Sequence, residues 1–417
     1  MIDTDFKNAI EKKYGLPIQK RGDCERLAEI IYEETGRSIS YNTLRRIYGL
    51  ARPVKVRRDT LDVLSNYLGF NSYYHFINAS SQVVTWEKRL RLYENLSRFD
   101  KNELLLIIKL EVHKKSDFLF TLINISREYL WAKKIRELTK IYTSDIITTL
   151  QLSYKQRLII GNAVGVLLRN ISLSQKEVDL LCKSTFYQTF IFEVFVDYSN
   201  LNNYYYNFIN TLHKKRNYAN ALFIRCLLNI RAHLNMTPVS EIKLTEDEII
   251  KLHPILRGRY FTNFMFGNSA DTSTFYTLNR FVTEVDFAES FYEPMLVSLL
   301  NEDSAMQIWL ILQFEGYSKY NPTIENHYSS LLKLTKTFYH ANNNEQSEAK
   351  KIFQTISCDD FILSYQSFFT FFYHLIGYQL YNSVEMKIQL SKSLRDNPYK
   401  RLKVLYKKAL KHPISED

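Results

Sequence analysis

Glycine and proline are scarce in this chain, at 11 and 8 of 417 residues. Both stand at well under half of their usual frequencies of roughly 7% and 5%. A many-stranded sandwich or barrel needs a turn signal every few residues, so this composition excludes one. Cysteine is almost as sparse. Cys24, Cys182, Cys226 and Cys358 are scattered, with no C-x-x-C pair, so neither a metal knuckle nor a disulfide framework is expected. The first residues, Met1-Ile2-Asp3-Thr4-Asp5, lack a basic segment followed by an apolar run, which argues against a signal peptide. The expected compartment is the reducing cytoplasm. The phosphate-cradling loops G-x-x-x-x-G-K-[ST] and G-x-G-x-x-G are missing, as are H-E-x-x-H and G-x-S-x-G. No enzyme, metal or cofactor is expected.

What is present is a folding chain with 46% hydrophobic and 24% charged residues. Its length calls for two or three domains. The net charge of +11 is unevenly spread. Residues 1–80 carry +3 and residues 386–412 carry +8, whereas the whole of 81–385 carries only +2. From Thr35 to Arg58 there is no acid at all, against Arg37, Arg45, Arg46, Arg52, Lys55, Arg57 and Arg58. Such a cluster is either a solvated surface or a phosphate-binding face.

The N-terminal eighty residues predict five short helices. Thr4 to Tyr14 is closed by Gly15 and Pro17. Asp23 caps a second, with Leu27, Ile30 and Ile31 as its apolar stripe, ending at Thr35-Gly36. Ser40 caps a third, Tyr41 to Tyr48, which Gly49 stops. A fourth starts at Asp59 or Thr60 and ends at Gly69-Phe70, and Ser72 opens a short fifth through Phe76. Two short helices around a tight glycine-containing turn, the second polar and basic, form the pattern of a helix-turn-helix.

Ile39-Ser40-Tyr41-Asn42-Thr43-Leu44-Arg45-Arg46-Ile47, with Gly49 and the later Thr60-Leu61-Asp62-Val63-Leu64-Ser65-Asn66-Tyr67-Leu68-Gly69, resembles the phage-repressor (Xre-like) helix-turn-helix family. The resemblance covers roughly residues 20–76. It departs from the family at Tyr48, where an acid is usual, and in a longer, more basic Leu50–Arg58 loop. It implies double-stranded DNA as partner and a recognition helix reading bases near its N-terminus. Tyr41, Asn42 and Arg45 would then face base edges, since Asn suits adenine and Arg suits guanine. Ser40, Arg46, Lys55, Arg57 and Arg58 would hold phosphates and fix register. The competing reading is a small helical cap on a larger protein.

From Val84 onward the periodicity stays helical, clearest in Trp86–Arg98, Lys101–His113, Phe118–Tyr129, Gln156–Arg169, Tyr218–His233, Ala305–Phe314 and Ile324–His340. Joints are short, and no strand alternates with these helices. Stacked helical hairpins, an α-solenoid, would give this layout. Asn342 to Phe353 resembles the joint and second helix of a tetratricopeptide repeat, with a fainter echo at Tyr218 to Leu222; no strict period of about 34 residues accompanies them. Phe361 to Val384 is uncharged and crowded with phenylalanine, long enough for a membrane span. Its Gln, His, Asn and hydroxyl side chains favour a buried inner helix, or one lining a ligand groove with Tyr317, Tyr320, Tyr328 and Tyr339. In the basic C-terminal helix, Leu402, Val404, Leu405 and Leu410 are expected to pack while the lysines stay in water.

The expectation is therefore an all-α chain: a helix-turn-helix domain over 1–80, an α-solenoid of helical hairpins over 81–385, and a basic helix and tail over 386–417. The function expected is that of a bacterial DNA-binding transcriptional regulator, homodimeric through its helical domain, with no membrane partner. The resemblance to peptide-responsive regulators implies a peptide or protein effector in that domain. The alternative is an interaction scaffold that does not bind DNA.

Overall fold

A computed structural model describes residues 4–52, 54, 56–111, 115–215, 220–266, 279–283, 287–320 and 326–411. Every regular element among the described residues is helical, so the all-α expectation holds. The chain divides into two compact units, Met1–Asp100 and Lys101–Asp417.

The first unit contains α1 (Thr4–Tyr14), α2 (Arg21–Thr35), α3 (Tyr41–Ile47), α4 (Arg58–Tyr67) and α5 (Tyr73–Arg98). Local chemistry sets most of these limits. Asp23 does not cap α2 as expected; Lys20 holds that position and Asp23 lies one turn inside. Its carboxylate reaches back to accept the Gln19 and Lys20 amides, each at 3.0 Å, which ties the non-helical residues before α2 to its first turn. The α2 helix ends where Gly36 turns left-handed at φ 67° and donates to the Tyr32 carbonyl. Ser40 Oγ accepts the Asn42 amide at 3.3 Å and starts α3.

The expected fifth helix is far longer than its Ser72–Phe76 reading, and it joins the stretch expected separately at Trp86–Arg98. Neither glycine nor proline occurs between Phe70 and Arg98. The polar residues around Ser80 lower helix propensity by fractions of a kcal/mol and do not break the helix.

Leu27, Ile31, Leu44, Ile47, Leu64 and Tyr67 form the centre of this unit, closed at one end by Phe6 against Tyr73 and Phe76. Burial of each such side chain contributes about 1.5–3 kcal/mol.

The second unit is a succession of packed helices. Those used below are α6 (Lys101–Glu111), α7 (Lys115–Trp131), α8 (Ile135–Tyr142), α9 (Tyr154–Arg169), α10 (Gln175–Leu181), α11 (Tyr204–His213), α12 (Ala221–Leu234), α13 (Pro254–Phe261) and α14 (Phe287–Asn301). After them come α15 (Ser304–Tyr320), α16 (Asn326–Asn342), α17 (Gln346–Phe353), α18 (Leu363–Tyr381), α19 (Val384–Asp396) and α20 (Lys400–Lys411). Sequential neighbours pack, among them α16 with α17 across the Asn342–Glu345 joint. Contacts also run far along the chain. The α18 helix meets α9 and the turn Tyr198–Asn200, and α20 meets α12. An open solenoid keeps contacts between adjacent repeats. This unit folds its C-terminal end back onto its middle.

Tyr399 fixes that return. Its hydroxyl donates to the Tyr198 carbonyl at 2.5 Å and accepts the Leu201 amide at 2.9 Å. Arg401 donates to the His233 carbonyl at 3.1 Å, and Lys408 pairs with Glu302 at 2.6 Å. In α20 the packed positions are Leu402, Leu405 and Ala409; Val404, expected to pack, is half exposed on the opposite side of the helix. The aromatic α18 is an inner helix, with Phe368, Phe369, Phe371 and Phe372 all fully buried. Among the described residues, no helix is long and apolar enough to cross a membrane.

Candidate nucleic-acid interface

The α2–α3 pair lies on the core of the first unit through Leu27, Ile31, Leu44 and Ile47. With Leu44 and Ile47 inward, the i, i+3 spacing leaves Asn42 and Arg46 exposed and Tyr41 and Arg45 half-buried. Arg45 Nη1 donates to Asn42 Oδ1 at 3.2 Å, so the two are aligned on one side of α3. Ser40 is exposed and its hydroxyl is engaged as the helix cap. Arg57 and Arg58 are exposed where α4 begins. Lys55 lies outside the described residues.

Arg21, at the first position of α2, joins this group although sequence reasoning passed over it. Its guanidinium lies 5.0 Å from the Tyr41 ring centroid, with Nη2 3.3 Å from the Tyr41 hydroxyl. Glu25, one turn on, accepts from Arg21 Nε at 2.7 Å. That hydrogen bond, followed by the carboxylate's charge, holds the Arg21 pKa above its ordinary value. The i, i+4 Arg–Glu spacing was readable in the sequence; its alignment with Tyr41, twenty residues away, was not.

Tyr48, at the position where the resembled family usually has an acid, packs against the core of the unit. Its hydroxyl is buried without a hydrogen-bond partner among the described residues, and burial pushes its pKa far above the usual tyrosine range. It supplies packing where an acid would supply a charge. Cys24 is fully buried in the same core, and burial raises its thiol pKa.

Compared with protein-family models, characterised proteins and solved structures, the chain gives no match.

The residues expected to line an effector groove fall differently. Tyr365, on α18, and Tyr328, on α16, line a cavity of about 440 Å³ in the second unit. Most other aromatic rings of α18 are core. Tyr339 is half-buried, and the side chains of Tyr317 and Tyr320 lie outside the described set.

Beneath the cavity wall is a buried polar cluster. Arg259 Nε donates to Glu293 Oε1 at 3.0 Å, with both side chains under one-tenth exposed. Tyr198 and Tyr365 donate their hydroxyls to the same carboxylate. Gly258 allows this pairing. A Cβ there would stand 2.5 Å from the Ser290 carbonyl oxygen, so α13 and α14 cross at backbone contact.

Proposed function

We propose that this chain is a sequence-specific DNA-binding transcriptional regulator. In this reading the first unit is a phage-repressor-like helix-turn-helix and the second a helical-repeat sensor and dimerisation unit. The observation that carries it is the Asn42–Arg45 pair, presented on a short helix within a segment free of acids from Thr35 to Arg58. Base edges are read by bidentate Asn and Arg side chains, and phosphates by surrounding cations. Asn42 and Arg45 take the first role. Arg46, Arg57 and Arg58 take the second, with Ser40 as cap and phosphate contact.

A gel shift of the full chain with random duplex DNA, followed by selection of bound sequences, tests this reading. A convergent motif is the expected outcome; failure to retard duplex DNA at low salt would refute it. The alternative, a scaffold that docks a protein, has its own support in Leu16, Tyr32 and Tyr74, which are 62%, 59% and 69% exposed. Such a scaffold would leave duplex DNA unshifted.

A further inference from the structure

The cavity in the second unit draws its wall from six α-helices, α9, α12, α13, α14, α16 and α18, and from the π-helical turn Gln188–Phe192. Its polar groups are unequally placed. Arg157 and His253 are exposed at the rim, while Arg259, Tyr292, Glu293 and Tyr365 are buried at its deep side. Both oxygens of the deep carboxylate are engaged, because Glu293 accepts from Arg259 and Tyr365 on Oε1 and from Tyr198 on Oε2.

Arg259 is not saturated. Its Nε serves Glu293 and its Nη2 lies 3.3 Å from the Tyr365 hydroxyl, whereas Nη1 has no hydrogen-bond partner among the described residues. The guanidinium also lies 5.0 Å from the Phe223 ring centroid, on the cavity wall. The deep site is therefore a neutralised ion pair with the Arg259 Nη1 group to spare, beside the Tyr292 hydroxyl, which is buried without a partner among the described residues.

Charge and size then narrow the ligand. Arg157 and Arg259 face Glu193, Glu289 and Glu293 around the cavity. Burial keeps His327 neutral, at a pKa of about 4, and lowers His253 as well. An anion would add a charge to a lining already rich in carboxylates. A cation would meet the Arg259 donor. A cavity of 150 Å³ accommodates benzene. By that measure 440 Å³ takes about 18 non-hydrogen atoms, a volume too small for a long peptide.

We propose that this cavity binds an uncharged, mainly aromatic or alicyclic molecule whose carbonyl or hydroxyl oxygen accepts a hydrogen bond from Arg259. Because six helices share the wall, occupancy fixes their mutual spacing. Binding as such does not depend on the regulator reading; only its coupling to DNA affinity rests on that reading.

Calorimetric titration of the full chain with acetylnaphthalene, naphthalene and naphthoate tests the proposal. Saturable binding of one acetylnaphthalene per chain is expected, at least tenfold tighter than either of the other two. Ile255→Trp, which fills the cavity from a half-buried wall position, should abolish it with the melting temperature kept. Arg259→Lys should reduce the preference for acetylnaphthalene over naphthalene below threefold. If Arg259→Lys fails to fold, the ligand series and Ile255→Trp decide the matter. No saturable binding, equal affinity for naphthalene, tighter naphthoate, or binding unchanged by Ile255→Trp would each overturn the proposal. DNA affinity measured on the same samples separates the two ideas. A chain that binds DNA but not acetylnaphthalene loses only the cavity proposal, and the converse result removes only the regulator reading.

Discussion

Asn42 and Arg45 are bonded to each other on the outer side of α3, Nη1 to Oδ1 at 3.2 Å. Three residues apart on one helix, they are neighbours by geometry, and the bond narrows the rotamers each samples. The bond holds two polar side chains in register on one side of the helix.

Arg45→Ala and Asn42→Ala should therefore each cost about 1–3 kcal/mol at the selected site and relax preference at one position. Arg57→Ala should weaken all duplexes alike and reduce the salt slope by about 1. Fluorescence anisotropy over a salt series distinguishes the two behaviours. Identical losses of preference and slope in the Arg45 and Arg57 variants would contradict the assigned roles.

A single module of this kind contacts one half-site, and two-fold dimers span half-sites roughly 34–36 Å apart or a multiple of that. The nearly neutral 81–385 segment offers little charge repulsion to self-association. A homodimer through this segment is expected, measured by light scattering at tens of micromolar. A strict monomer, with and without DNA, would exclude it.

Arg259 and Glu293 should be intolerant of single replacement. Arg259→Met leaves a buried carboxylate and Glu293→Leu a buried guanidinium, each costing about 3–5 kcal/mol. The double variant should recover only part of this, because Tyr198 and Tyr365 both lose their acceptor. Denaturant midpoints of the three variants report the coupling, and additive losses would show that the pair acts as two independent residues.

Glycines in two helices should respond with opposite sign. Gly258→Ala must push α13 from the Ser290 carbonyl and should destabilise by about 1–3 kcal/mol. Gly316, within α15, has nothing among the described residues within 4 Å of an added Cβ. Gly316→Ala should stabilise by about 0.5–1 kcal/mol through helix propensity. Thermal melts of both variants check the contrast.

His233 is 4% exposed, donates from Nε2 to Asn301 Oδ1 at 2.9 Å, and stacks on Phe266. Burial first, and then the Arg401 charge, lower its pKa to about 4. The folded state resists protonation that the unfolded chain accepts near 6.5, so the unfolded state binds more protons between those values. Stability should be full above pH 6.5 and fall as pH drops toward 4, by up to roughly 3 kcal/mol from this residue. His327, also lowered to about 4 by burial, adds in the same direction. Unfolding free energies from pH 7.5 to 4 should show this slope, and His233→Gln should flatten it.

Helix limits set by neighbouring chemistry were legible in the chain: α1 runs Thr4–Tyr14 as expected, Gly36 ends α2 and Ser40 starts α3. Caps and left-handed glycines act within a few residues, so the sequence alone determines them. The same local chemistry displayed Asn42 and Arg45 on one helix. The partnership of Arg21 with Tyr41 needed the packed α2–α3 pair. In the second unit, composition determined that the elements are helices but not which of them meet. Tyr399 reaches a carbonyl 201 residues away, and Arg259 meets a glutamate 34 residues on and a tyrosine 106 residues on. Those encounters arise from helix crossings such as the one at Gly258, where contact is set by the shapes of whole surfaces. The cavity and its spare donor belong to the tertiary structure alone, since no period or spacing along the chain encodes the void that six helices leave between them.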